Sequence, residues 1–262
     1  MNTDMTGRTA LVTGSTSGIG QAIATTFARA GAEVVVNGRS EQRVDDTVAT
    51  IRAETGGTVR GIAADIGTAE GADSLISELP DVDVLVNNAG IFGAEPVFEI
   101  SDAEWSRFFE VNVLSGVRLA RHYTPRMVQR GWGRVIFISS ESSIFIPTEM
   151  VHYGMTKTAQ LSVARGMAQE VAGSGVTVNS VLPGPTLTPG VEEFIRSRIG
   201  SDVPFEEAER RFIAQERPSS LLGRLIRPEE VANLVLYAGS EAGSASSGAA
   251  LRVDGGVAPS LT

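Results

Sequence analysis

Tyr153 and Lys157 are the residues of this sequence whose types and spacing point most directly to chemistry. They are four positions apart, so on a helix they share one face and the ammonium can reach the region of the phenol. A free phenol has a pKa near 10 and is a poor exchanger of protons at neutral pH. A nearby ammonium favours the phenolate and lowers that pKa. Among 22 basic residues Lys157 is the single lysine, and the pair predicts proton transfer at a substrate oxygen.

Other kinds of chemistry lack the residues they need. The chain contains no cysteine, which excludes disulfides, thiolate catalysis and cysteine-ligated metals. The two histidines, His122 and His152, do not have metal-ligand spacing, and we expect no metal. A serine hydrolase would require a histidine base and a nucleophile-elbow motif, and neither is evident.

A glycine-rich segment follows the first predicted strand and directly precedes a helix. Glycine lets the backbone adopt positive φ and lets a phosphate approach closely, and the start of the helix offers free N–H groups. The segment lacks the lysine of a P-loop, which disfavours a nucleoside triphosphatase. It predicts a dinucleotide site. The residues expected to form it are Gly14, Ser15, Thr16, Ser17, Gly18, Ile19 and Gly20.

Arg39, near the end of the second predicted strand, is the expected selector of the cofactor. An acidic residue in this region would hold the ribose hydroxyls of NAD, but the strand ends Val36-Asn37-Gly38-Arg39 without one. A guanidinium can pair with a 2′-phosphate through two hydrogen bonds. We therefore expect NADP(H) to be preferred, with NAD(H) as an alternative. Arg39 could instead cover the adenine or be a solvated turn residue.

Short apolar runs alternate along the chain with longer helical patterns. The predicted strands are Ala10–Thr13, Glu33–Asn37, Val59–Ala63, Val84–Asn87, Arg134–Ser139, Val176–Leu182 and Ala250–Val253. The predicted helices are Ile19–Ala30, Gln42–Thr55, Gly71–Glu78, Asp102–Arg130, Tyr153–Ala172 and Glu229–Gly239. This alternation predicts an α/β fold with a doubly wound parallel sheet of about seven strands and helices on both faces. We expect one domain, 1–262, with a helix-rich insertion at about 189–222.

Several motifs stand in an order that resembles one family. They are Thr13–Gly20, Asn87-Asn88-Ala89-Gly90, Asn112, Ser140, Tyr153-Gly154-Met155-Thr156-Lys157, Pro183-Gly184 and Val253-Asp254-Gly255-Gly256. From Thr9 to Val257 the chain resembles the short-chain dehydrogenase/reductases, and among them the 3-oxoacyl-thioester reductases. The resemblance implies a Rossmann-type fold.

The resemblance also implies residue roles. Asn112, Ser140, Tyr153 and Lys157 would be catalytic: Ser140 orients the reacting oxygen, Asn112 supports a water of the proton relay, and Lys157 also holds the nicotinamide ribose. Further cofactor contacts are implied at matching positions, in addition to Tyr153 and Lys157. These are Asp65, Ile66, Asn88, Ala89, Gly90, Pro183, Gly184, Thr186 and Thr188.

These residues together predict hydride transfer between a nicotinamide cofactor and a ketone or secondary alcohol, with Tyr153 as general acid/base. The insertion resembles the family's substrate lid, and its apolar residues favour a moderately hydrophobic substrate. The alternative is a catalytically silent dinucleotide-binding regulatory or scaffold protein. Such a protein would be expected to have lost at least one of the four catalytic residues.

Charge and hydropathy restrict the partners. The formal net charge of −9 argues against nucleic acid and anionic membranes. Neither a secretory signal nor an apolar run long enough for a membrane span is visible, so we expect a cytoplasmic location. The family's usual subunit interface lies on the helices at 102–130 and 153–172, which implies a homotetramer, with a homodimer as second choice.

Overall fold

Residues 2–200 and 202–261 are described by the computed structural model of the chain, and within them seven parallel strands form one sheet. The strands are β1 (Thr9–Val12), β2 (Glu33–Gly38), β3 (Val59–Ala63), β4 (Val84–Asn87), β5 (Gly133–Ile138), β6 (Val176–Pro183) and β7 (Ala250–Val253). Their order, β3-β2-β1-β4-β5-β6-β7, confirms the predicted doubly wound sheet. The predicted domain limits, Met1 and Thr262, lie outside the described residues, as does Ser201 of the insertion.

Helices cover both faces of the sheet. They are α1 (Gly18–Arg29), α2 (Glu41–Thr55), α3 (Ala69–Glu78), α4 (Asp102–Phe109), α5 (Ser115–Arg130), α6 (Val151–Glu170), α7 (Pro189–Ile199), α8 (Phe205–Glu216) and α9 (Pro228–Gly239). Successive strand residues point to opposite faces. Ala10 and Val12 therefore join the core under α1, α2 and α9, whereas Leu11 joins the core under α3, α5 and α6.

The chain is helical throughout the range predicted, 102–130, but the sequence did not predict that a π-helical segment (Glu110–Leu114) joins α4 to α5. Such segments accommodate one extra residue and often occur at functional sites. Asn112 lies within it and is 1% exposed. The sequence pattern alone could not show the interruption, because its apolar spacing continues through it.

The insertion is helical, as predicted, and its described residues contain no strand. α7 and α8 pack against each other through a small apolar cluster of their own, which includes Ile195, Phe212 and Ile213. Thr188 begins α7 by accepting a hydrogen bond from the backbone N–H of Val191. In the described part of the chain, the helices lack the combination of length and apolarity that crossing a bilayer requires.

Candidate active site

A cleft of about 330 Å³ opens at the carboxyl ends of the central strands. Strands are added to one side of β1 up to β3 and to its other side from β4 onwards, so the strand order reverses between β1 and β4. In open α/β sheets ligands bind at such a point. Thirteen of the residues expected to take part line this cleft. They are Ser17, Gly18, Ile19, Gly20, Asn88, Gly90, Ser140, Tyr153, Lys157, Pro183, Gly184, Thr186 and Thr188.

The start of α1 offers a cradle for a phosphate. Ser17 gives no side-chain cap, and the first backbone bond of the helix runs from the Gln21 N–H to the Ser17 oxygen. Within the described residues, the N–H groups of Gly18, Ile19 and Gly20 have no hydrogen-bond acceptor. A Cβ on Gly20 would lie 2.5 Å from the Gly14 oxygen, so the loop requires glycine there. Free amides at a helix start suit an anion.

Thr13, which the sequence reasoning did not assign, ties the glycine-rich loop to the segment after β4. Its Oγ1 accepts hydrogen bonds from the backbone N–H groups of Asn88 and Ala89, both at 3.0 Å. The Asn88 amide in turn donates to the backbone oxygens of Thr13 and Gly14. Gly14 packs so tightly on Ala89 that a Cβ would lie 2.8 Å from its Cα. Gly14 and Ala89 therefore pack behind the residues that line the cleft.

Of the contacts predicted in the glycine-rich loop, those from Ser17 to Gly20 line the cleft, whereas Gly14, Ser15 and Thr16 do not. Ser15 is fully buried, and its hydroxyl and N–H donate to Val12 and Asn37 oxygens at 2.7 and 2.9 Å. Ser15 therefore stabilises the turn from within and does not face the cleft. Thr16 packs near Gly38, where a Cβ would lie 2.6 Å from the threonine methyl group. Neither residue lines the cleft wall.

The residues expected at the adenosine end lie outside the cleft wall. Arg39 is exposed just after β2 and makes no hydrogen bond or ion pair within the described residues, so its guanidinium is available. Asp65 is exposed, and its carboxylate accepts from the N–H of Gly67. Ile66 is 4% exposed and its side chain belongs to the core. A cofactor contact from Ile66 would have to come from its backbone.

Tyr153 and Lys157 share one face of α6, as predicted. Lys157 Nζ lies 5.5 Å from the Tyr153 ring centroid and donates to the Ile138 oxygen at 2.8 Å. Burial lowers the pKa of Lys157 to about 8. Burial is the main cause that raises the pKa of Tyr153 above that of a free phenol, and the charge of Glu141 raises it further. Ser140 and Arg217 lower it. The expected lowering of the Tyr153 pKa by Lys157 is not seen, since the groups that lower it are Ser140 and Arg217.

Asn112 fastens the π-helical segment to the loop after β4. Its Oδ1 accepts from the N–H of Ile91 at 2.7 Å, and its Nδ2 donates to the Ile91 oxygen at 2.9 Å and to Thr156 Oγ1 at 3.0 Å. The Asn112 backbone oxygen accepts from Gln160 Nε2 at 2.6 Å. Asn112 thus joins α6 to the cleft loop, although it is not part of the cleft surface.

Ser140 lies beside two charged residues that the sequence reasoning missed. Its hydroxyl donates to Glu141 Oε2 at 2.5 Å, and Glu141 Oε1 lies 3.6 Å from Arg217 Nε, just after α8. Glu141 and Arg217 are only 5% and 8% exposed, and both line the cleft. Burial raises the pKa of Glu141, opposed by Ser140 and Arg217. The adjacency of Glu141 to Ser140 was the only signal for it in the sequence.

The described residues contain one group with the composition of a metal site, formed by Glu95, Glu104 and His152 within 4.8 Å of one another. Arg107 donates to both carboxylate oxygens of Glu104, at 2.8 and 2.5 Å, so the charge of Glu104 is already compensated. The Phe108 ring lies 4.0 Å from the His152 ring. None of the three residues lines the cleft, so the group is not part of the candidate active site.

Comparison with known proteins gives a consistent result. A family model described as short chain dehydrogenase matches residues 8–198. The chain is 50% identical, over the full length of both, to an uncharacterized oxidoreductase of Bacillus subtilis (strain 168) named YvaG. It is 33% identical to the D-beta-hydroxybutyrate dehydrogenase of Cupriavidus necator, across 96% of this chain and 98% of that protein. The L-sorbose reductase of Gluconobacter frateurii, solved with NADPH and L-sorbose, superposes with a TM-score of 0.93 and 32% identity, covering 100% of both chains.

The family match spans most of the sheet and reaches from before the glycine-rich loop to the end of α6 and beyond. The full-length matches extend the similarity through α8 and β7. This chain belongs to the short-chain dehydrogenase/reductase family of oxidoreductases.

Proposed function

We propose that this protein is an NADP(H)-dependent oxidoreductase that transfers a hydride between the nicotinamide and a ketone or secondary alcohol. The observation that carries the proposal is the convergence of Ser140, Tyr153 and Lys157 on one cleft with the free amides of α1. The similar L-sorbose reductase was solved with NADPH, which supports the choice of cofactor. A cofactor bound in this cleft would supply the hydride, and the protein would supply the proton and the alignment.

The residues present fit a dinucleotide phosphate. The uncapped N–H groups of Gly18, Ile19 and Gly20 would hold the pyrophosphate. Arg39 would pair with the 2′-phosphate, because it has no other partner within the described residues and no acid stands beside it on β2. Lys157, whose Nζ lies 3.6 Å from where a Cβ of Gly90 would be, would hold the ribose hydroxyls.

Tyr153 is suited to donate a proton to the reacting oxygen. A phenol with its ordinary pKa near 10 is already protonated at neutral pH, and burial raises the pKa of Tyr153 further. The phenol can therefore neutralise the alkoxide that develops during reduction. The oxidation of an alcohol would require the phenolate and therefore a higher pH. We infer that reduction is the favoured direction near neutrality, as an NADPH preference also implies.

The cleft favours a ketone with an apolar part. Phe92, Met150, Phe194 and Phe212 line it, and the last two belong to α7 and α8. We propose that the helical insertion acts as a substrate lid, since its own apolar cluster is separate from the two cores of the sheet. The cytoplasmic location remains a prediction.

A panel of ketones and secondary alcohols, followed by NADPH absorbance, tests the reaction. The wild type is expected to reduce at least one ketone, and Tyr153→Phe is expected to lose about 100-fold or more in kcat because it cannot donate the proton. Tyr123→Phe is the matched control, because Tyr123 is a buried residue of α5 that does not line the cleft. Full activity of Tyr153→Phe would overturn the proposed mechanism.

Arg39→Ala tests the cofactor assignment. The substitution should raise the KM for NADPH by about tenfold or more and leave that for NADH nearly unchanged, because only NADPH carries the 2′-phosphate. Arg43→Ala is the control, since Arg43 is likewise exposed and lies one turn farther along, on α2. Equal losses for both cofactors would contradict the role of Arg39.

A further inference from the structure

In the hydrogen-bond arrangement around Ser140, the hydroxyl has no free hydrogen to donate to a ketone oxygen. A serine hydroxyl has one hydrogen to donate and two lone pairs that accept. Here the hydrogen goes to Glu141 Oε2, and the oxygen accepts from the backbone N–H of Ser142 at 3.1 Å. A ketone oxygen accepts hydrogen bonds and donates none. In this arrangement Ser140 therefore cannot hydrogen-bond the oxygen that it is expected to orient.

Protonation of Glu141 reverses this arrangement without moving any heavy atom. A carboxylic acid has one O–H donor, and Glu141 Oε2 already lies at hydrogen-bond distance from Ser140 Oγ. If the acid donates to Ser140 Oγ, both serine lone pairs are used, one by Glu141 and one by Ser142. The serine hydrogen is then free for the ketone oxygen, beside the Tyr153 phenol.

Burial of Glu141 favours its neutral acid form, but the guanidinium of Arg217 lies nearby as a counter-charge. It is buried, and Arg217 approaches it at 3.6 Å without forming a hydrogen bond. The other charged or titratable groups that act on the site are Tyr153 on α6, Asp254 after β7, and Glu149, which lies 4.0 Å from Arg217. Burial raises the pKa of Glu141, whereas the hydrogen bond from Ser140 and, next, the charge of Arg217 lower it.

We propose that Glu141 is a positioning residue for the reduction: as the neutral acid it donates to Ser140 and turns the serine hydrogen towards the substrate ketone. Arg217, which follows α8, stabilises the ionised form and so links the helical insertion to the state of Ser140. This inference rests on the proposed function, because it requires a ketone oxygen beside Ser140 and Tyr153.

The test is the pH dependence of kcat/KM for ketone reduction in wild type, Glu141→Gln and Glu141→Ala. The wild type should lose about tenfold per pH unit above the pKa of Glu141, the slope of one ionisation. Glutamine donates an N–H at every pH, so Glu141→Gln should match the low-pH wild type within about threefold and lack this decline. Glu141→Ala should be slower at every pH. A decline of kcat/KM that is caused by the ionisation of Lys157 or Tyr153 should persist in the wild type and in both variants.

Arg217→Met supplies a second measurement. Loss of the guanidinium should shift the Glu141 decline to higher pH, since the carboxylate loses its counter-charge. Arg210→Met is the control, because Arg210 is exposed on α8 and pairs with Glu207. A carboxylic-acid C=O band in the infrared spectrum of the wild type should be absent in Glu141→Gln.

Three results would overturn the inference. They are an unchanged decline in Glu141→Gln, a loss in Glu141→Gln equal to that in Glu141→Ala at low pH, or an unshifted decline in Arg217→Met. Tyr153→Phe separates this failure from that of the proposed function. If Tyr153→Phe is inactive and Glu141→Gln keeps the decline, only the role of Glu141 is refuted. If Tyr153→Phe is fully active, the proposed reduction itself fails.

Discussion

Lys157→Met should make the cofactor-free protein more stable at pH 7 while abolishing its activity. Lysine ordinarily titrates near 10.5, and burial lowers the pKa of Lys157 to about 8. Each unit of pKa difference corresponds to about 1.4 kcal/mol, so burying the ammonium costs about 3 kcal/mol. Methionine has a similar shape and no charge, but it leaves the Ile138 oxygen without its donor, at a cost of about 1–2 kcal/mol. The net gain is about 1–2 kcal/mol.

The pH dependence of this gain identifies its cause. Between pH 8 and 10.5 the unfolded chain holds a proton that folded Lys157 has lost, so wild-type stability rises with pH. The advantage of Lys157→Met should therefore be greatest below pH 8 and shrink by about 1.4 kcal/mol per pH unit above it. It should reverse before pH 10.5, where only the cost of the lost hydrogen bond to Ile138 remains. Urea unfolding of cofactor-free protein at pH 7 and pH 10, at equal protein concentrations, measures both free energies.

Arg165→Met, an exposed change on the same helix, is the matched control and should show neither effect. The reasoning would be refuted if Lys157→Met unfolded at lower urea than the wild type at pH 7. It would equally fail if the difference between the two proteins were the same at both pH values, because the gain would then not come from the buried charge.

Three further outcomes are expected. Asn112→Ala leaves the Ile91 N–H and oxygen unpaired. It should therefore lower the free energy of unfolding by about 1–3 kcal/mol and slow turnover. An unchanged midpoint of urea unfolding would count against the role of Asn112 in fastening the loop. Gly20→Ala places a Cβ 2.5 Å from the Gly14 oxygen, so fluorescence titration should show NADPH bound about tenfold or more weakly; an unaltered Kd would contradict the cradle. Light scattering at micromolar concentration should give the mass of a homotetramer, and a monomer would exclude both the tetramer and the dimer.

The parts of the fold and site that the sequence predicted are those set by local pattern. Strand alternation, the glycine-rich loop before α1, and the Tyr153–Lys157 spacing all depend on neighbouring residues, and the structure contains each of them. Ser15 differs because its orientation is set by Asn37, a residue of the next strand. Partners that are distant along the chain are not visible in a local pattern.

The charged pair in the cleft shows the same limit more strongly. Glu141 and Arg217 are brought together by the packing of the helical insertion over the sheet, so neither residue identifies the other in the sequence. The direction of the Tyr153 pKa was also misjudged, because the spacing on α6 shows the ammonium but not the depth of burial. Burial and long-range contact are properties of the assembled core.

The π-helical segment has a consequence for comparing relatives of this chain. Consecutive residues of an α-helix are about 100° apart around its axis, so loss of one residue within Glu110–Leu114 would let α4 and α5 run on as one regular helix. An asparagine aligned with Asn112 would then turn away from Ile91 by about that angle. A one-residue gap at this point of an alignment therefore marks a lost contact, even in a relative that retains the asparagine.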